Sequence, residues 1–162
     1  MKKIFISILA AAAAFTACNT AVEPDYGYEI KDGVAVYNTP ERPADQVCMI
    51  GFAVEPIETV RVGFIGLGDR GDGAVNRYTY LDGVEIVALC DIEEERVKDM
   101  NKLLAERGKP AADEYFGSTE AWKELCQRDD IDLVYIVTDW LNHTPMAVYA
   151  MEQGKHVAIE VP

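Results

Sequence analysis

At 162 residues the chain can bury one full hydrophobic core but not two. Half of it is apolar and a quarter charged (49% and 27%), which excludes a disordered or fibrous protein, and four dispersed cysteines exclude a disulfide-dense miniprotein and a zinc ribbon. The net charge is −13, or −15 once Lys2 and Lys3 of a cleavable leader are set aside, and a surface of that sign excludes nucleic-acid binding through a basic face.

Met1-Lys2-Lys3, followed by an apolar run to Ala14, has the positive and hydrophobic regions of a secretory signal, too short to span a bilayer. The stretch Phe15-Thr16-Ala17-Cys18 resembles a bacterial lipobox, in which the cysteine is acylated and becomes the first residue. The expectation is an exported periplasmic or outer-membrane lipoprotein with residues 1–17 as signal peptide and Cys18 as lipidation site. Its only membrane contact would be the lipid anchor. Cys48, Cys90 and Cys126 have no ligand spacing, so no metal site is expected. Cys90 and Cys126 fall in apolar patterns and read as buried free thiols.

Residues 18–58 carry the prolines of an extended lead-in, interrupted by a small hairpin over 29–37 with Asp32-Gly33 as a type I′ turn. From residue 59 the texture changes. Strands are predicted at Val60–Ile65, Val84–Cys90, Ile131–Val137 and His156–Ile159, with a short one at Tyr115-Phe116. Helices lie between them. Ala74, Val75 and Tyr78 mark the first, and Val97, Met100 and Leu104 the second, which ends at Gly108 and Pro110. Ser118 is placed as the cap of a third helix carrying Trp122 and Leu125, and Thr144-Pro145 as the start of a fourth that closes at Gly154. Glu94 and Lys98 are expected to pair along the second helix. The alternation predicts an α/β fold, a doubly wound parallel sheet, over residues 59–162.

Gly66-Leu67-Gly68-Asp69-Arg70-Gly71 is a complete G-x-G-x-x-G between a strand and a helix, the context in which that pattern binds a dinucleotide. Gly66 lets the chain turn, Gly68 admits a pyrophosphate against the backbone, and Gly71 permits close helix–strand packing. Arg70 either contacts phosphate or ribose, or is a solvated arginine. Asp91 ends the second long strand about 20 residues after Gly71, where an acid accepts both hydroxyls of an adenosine ribose and favours NAD over a 2′-phosphorylated cofactor. Thr138, Trp140 and His143 occupy the loop after the third long strand, on the ligand side of the sheet. They hold the nicotinamide ribose and substrate rim, or Trp140 covers the sheet edge and His143 merely packs. Glu160 follows the last strand and points to the same crevice.

With these residues in place, 59–162 resemble the N-terminal half of the Gfo/Idh/MocA oxidoreductases. The matching stretches are Val62–Gly68, Asp91, Asp132-Leu133-Val134, His143 and Gly154-Lys155-His156-Val157 with Glu160. The resemblance implies a Rossmann domain binding NAD, with a second α/β domain supplying the substrate pocket and an oligomer interface. That domain is missing from these residues, and the chain is read as truncated. Many members carry Glu-Lys-Pro at the last strand, where this chain has Glu160-Val161-Pro162 and so lacks the lysine that takes part in catalysis. A branch called glycoside hydrolase family 109 shares the Arg70-Gly71 loop ending, the Trp140 to His143 spacing and the Glu160-Val161 pair. It implies Asp69, Arg70, Asp91, Trp140, His143, Glu160 and Val161 as cofactor-side positions. Those glycosidases oxidise a sugar at C3, eliminate the glycosidic oxygen, add water and reduce back, so their NAD is not consumed. Three readings follow: the NAD-binding half of an oxidoreductase acting on a sugar or sugar derivative, a redox-neutral glycosidase, and a non-catalytic dinucleotide-binding fragment. The catalytic residues are not identified, and for the 162 residues alone the expectation is binding without turnover.

Overall fold

The computed structural model of the chain describes residues 28–37, 43–47 and 49–161; the leader, Cys18 and Cys48 lie outside them. The chain divides into two compact units, Met1–Phe52 and Ala53–Pro162. In the first, β1 (Tyr28–Lys31) pairs antiparallel with β2 (Val34–Tyr37). Asp32 and Gly33 both have positive φ (51° and 79°), which a type I′ turn requires and which Asp and Gly tolerate best.

The second unit runs β3 (Val60–Ile65), α1 (Asp69–Tyr78), β4 (Val84–Cys90), α2 (Glu94–Glu106), β5 (Asp113–Tyr115), α3 (Ala121–Cys126), β6 (Leu133–Ile136), α4 (Trp140–Glu152) and β7 (His156–Ile159). All five strands are parallel, in the order β5-β4-β3-β6-β7. The doubly wound sheet expected from the alternation is therefore present. Strand order reverses between β3 and β6, the switch point at whose carboxyl end such sheets take ligands.

Period-two alternation distributes each strand's side chains over two cores. Val62, Phe64 and Leu89 pack beneath α1 and α2 with Val75, Val97 and Leu104. Ile65, Cys90, Val134 and Ile136 pack on the other face, beneath α3 and α4, with Trp122, Leu125 and Ala150. Burial raises the thiols of Cys90 and Cys126, to about 12 and about 11, so both are protonated near neutrality. They are free thiols inside the second core, as expected.

Four local expectations are corrected. The fourth helix begins at Trp140 rather than after Thr144, because the Asp139 carboxylate accepts from the Leu141 and Asn142 N–H groups and caps it one turn earlier. Pro145 consequently lies inside α4. The Ser118 hydroxyl accepts from Glu120 N, tightening the turn before α3 without capping it. Lys98 reaches across to Glu114 on the neighbouring strand instead of pairing with Glu94 one turn away. Two predicted strands also shift: Ile131–Val137 contracts to β6, and Tyr115-Phe116 gives way to β5, which starts two residues earlier and ends one earlier.

The amino ends of β3 and β6 are tied by a two-pronged ion pair. Arg61 Nε and Nη2 donate to Asp132 Oδ2 and Oδ1 at 3.0 and 2.8 Å, and Arg61 N donates to Oδ2 at 2.9 Å. These bonds hold the Asp132 carboxyl below its ordinary value. A depressed native pKa stabilises the fold above the ordinary carboxylate range, and that contribution is lost as the pH falls through the native value. Thermal unfolding followed from pH 6 to pH 2 should show Tm falling, with a shallower fall in Asp132→Asn. An acid limb unchanged by that substitution would show that the pair contributes nothing.

Candidate functional site

The site is built where β3 hands over to α1. Gly66 turns the chain with φ +92°, and a β-carbon there would stand 2.6 Å from the Val137 carbonyl oxygen on the neighbouring strand's exit. One on Gly71 would stand 2.0 Å from the Gly66 carbonyl oxygen, so the helix start and the turn touch only because neither residue has a side chain. Gly68 differs. A β-carbon there meets only Arg96, at 3.5 Å, so the fold leaves this position open. Gly68 is also the N-cap of α1 and offers no side-chain cap, which leaves the helix's first donors and its positive dipole end for an anion. Asp69 and Arg70, the first two residues of α1, are both exposed.

Asp91, 7% exposed, closes β4 beside this turn. Its Oδ2 accepts from Leu67 N at 2.7 Å and its Oδ1 from Glu93 N at 3.0 Å, and Arg96 Nη1 stands 3.6 Å from Oδ1. The same carboxylate expected to read a ribose therefore also fastens the glycine loop to β4. Arg96, which the sequence reading did not select, lies against both Asp91 and Gly68. Its signal was a base one turn into the helix that follows a strand-ending acid.

A cleft of about 980 Å³ opens along the carboxyl ends of β3, β4 and β6. Gly66, Gly68, Asp91 and Thr138 line it, together with Arg96, Asp139 and Asn142. Gly71 packs behind the loop. Trp140, at the head of α4, is 74% exposed and so does not cover the sheet edge. His143 is 4% exposed, and neither ring nitrogen has a hydrogen-bond partner. Glu160 lies past the end of β7, where its Oε1 accepts from the Tyr135 hydroxyl at 2.9 Å. Val161 is 82% exposed. These last four, with Asp69, Arg70 and Gly71, are not among the cleft's lining residues.

The arrangement fits a dinucleotide. Gly68 is a cradle that a side chain would fill, and the helix start above it is uncapped.

Residues 60–162 match the Gfo/Idh/MocA oxidoreductase family, described by its NAD-binding Rossmann fold. The whole chain is 51% identical to glycosyl hydrolase family 109 protein 1 of Bacteroides thetaiotaomicron, of which it covers 34%. A glycosyl hydrolase family 109 protein of Porphyromonas gingivalis is 56% identical over 76% of the chain and 26% of its own length. Among solved structures, myo-inositol dehydrogenase from Lactobacillus casei in complex with NAD(H) and myo-inositol superposes with a TM-score of 0.54. It is 30% identical over 64% of this chain and 29% of that one. The chain thus spans about a third or less of the length of the relatives it matches. On the family match and the glycine loop in its strand–turn–helix setting, the chain belongs to the Gfo/Idh/MocA oxidoreductases, and residues 60–162 form their NAD-binding Rossmann domain.

Proposed function

We propose that this chain is the cofactor half of an exported, lipid-anchored enzyme acting on a sugar or sugar derivative. The observation that carries the reading is the cleft on which the open Gly68 cradle and Asp91 converge at the switch point of the sheet. Bound NAD would supply a hydride acceptor and donor. The chain's own residues do the holding. Gly68 and the α1 start take the pyrophosphate, Asp91 the adenosine ribose, and Thr138, Trp140 and His143 the nicotinamide side. Asp69, Arg70, Glu160 and Val161 complete the cofactor side. The length of the relatives supports a longer protein in which a further domain supplies the catalytic groups, the carbohydrate pocket and a homo-oligomer contact.

A second reading, redox-neutral glycoside cleavage, is favoured by the names of the relatives and by Val161, which offers neither proton nor charge where many family members have lysine. An enzyme that returns each hydride to its substrate does not consume NAD. A preparation spanning the relatives' full length should purify with NAD and release the aryl group of an aryl glycoside without net NADH absorbance. Stoichiometric NADH would instead establish an ordinary dehydrogenase, and silence across a broad sugar panel a non-catalytic dinucleotide binder.

The anchor rests on the lipobox-like Phe15-Thr16-Ala17-Cys18. Cys18→Ser should abolish labelling by a radioactive fatty acid and release the protein from membranes, and labelling that survives would refute the assignment.

A further inference from the structure

Glu160 and Tyr135 come together by strand register. Tyr135 on β6 is the partner of Ala158 on β7, and side chains alternate along a strand, so Glu160, two residues further, returns to the same face. That is the face covered by α1 and α2. There the Tyr135 ring is held by Phe64 and Tyr78, with centroids at 5.4 and 5.6 Å, and Phe64 is itself fully buried one residue before the end of β3. The ring is thus aimed by core packing, and its hydroxyl meets Glu160 Oε1 at 2.9 Å. Phenylalanine would pack as well against Phe64 and Tyr78; among the described residues only the bond to Glu160 uses the oxygen. Among the described residues Glu160 Oε2 has no hydrogen-bond partner.

We propose that Tyr135 is a positioning residue for the dinucleotide, acting through Glu160: its hydroxyl fixes Oε1 and presents Oε2 as acceptor for a hydroxyl of the nicotinamide-side ribose. Burial, followed by the bond to Glu160, raises the Tyr135 hydroxyl above its ordinary value, which keeps it a donor at neutral pH. The inference rests on the reading that Glu160 lies on the cofactor side.

Calorimetry on the full chain with NAD and with ADP, which lacks the nicotinamide-side ribose, tests both levels. Tyr135→Phe and Glu160→Gln should each weaken NAD about three- to tenfold, the scale of one ordinary hydrogen bond, and leave ADP within about twofold. The double variant should lose no more than the larger single effect, because the two residues act as one unit. A weakened Glu160→Gln beside an unchanged Tyr135→Phe would overturn the positioning role and leave the cofactor-side reading standing. An unchanged Glu160→Gln would overturn that reading and the inference with it. Equal losses for ADP and NAD would assign Tyr135 to general packing and overturn the proposal.

Discussion

Gly71→Ala should collapse the site together with the fold around it, whereas Gly68→Val should remove the cofactor and leave the fold standing. The contrast comes from what a β-carbon meets. At Gly71 it lies 2.0 Å from a backbone carbonyl oxygen, so β3 and α1 must separate. Overpacking against backbone costs about 3 kcal/mol or more, a loss of roughly 10 °C in Tm for a domain of this size. At Gly68 the backbone is extended (φ −71°, ψ −164°), which any residue adopts, and the neighbour at 3.5 Å is the mobile end of Arg96. Valine there should shift Tm by no more than a few degrees. Its methyl groups, however, would occupy the path of the pyrophosphate, and NAD affinity should fall at least about 100-fold, close to the loss of a whole phosphate contact. Unfolding scans and calorimetry on the two variants separate these effects. A folded Gly68→Val that binds NAD normally would show that the loop is not the phosphate site.

The sheet was legible because its information is local. The long strands β3 and β4 are apolar runs ended by Gly66 and Asp91, and the buried residues of α1 and α2 fall at helical spacing. The glycine loop was legible for the same reason, since strand, turn and helix adjoin in the chain. What could not be read depends on contacts across the fold. Thr144-Pro145 has the local chemistry of a helix start, yet Asp139 caps α4 a turn earlier and the helix accommodates the proline. Lys98 faces a like-spaced acid on its own helix, but the parallel β4–β5 register brings Glu114 within reach. Arg96 carries no motif of its own; its place above Gly68 follows only from how α2 leaves β4. The burial of His143 likewise depends on α4 lying over the end of the sheet, which no spacing in the loop encodes.

Asp91 should set both the cofactor preference and the shape of the loop, and these two roles can be separated. A carboxylate has about four lone-pair directions, and the Leu67 and Glu93 N–H groups take two of them. The remainder suit the paired hydroxyls of an adenosine ribose. A 2′-phosphate would instead bring negative charge to within about 5 Å of the carboxylate, a repulsion of roughly 3 kcal/mol per unit charge at a surface-like dielectric before salt screens it. NAD should therefore be preferred over NADP by about 30- to 100-fold. Asp91→Asn keeps an acceptor for the loop but removes the charge, and it leaves Arg96, now 3.6 Å from Oδ1, without its carboxylate partner and able to meet a 2′-phosphate. In that variant the preference should shrink to within about fivefold, with NADP gaining more than NAD loses. Adding Arg96→Ala should cost NADP its gain and leave NAD nearly unchanged. Asp91→Ala goes further. It strands the buried Leu67 N–H at a cost of about 1–3 kcal/mol, so Tm falls and both cofactors weaken together. Calorimetry with NAD and NADP across these variants, with Tm recorded for each, is the measurement. Equal affinity for the two cofactors in the unmodified chain would remove the ribose role and leave Asp91 only as the residue that ties the glycine loop to β4.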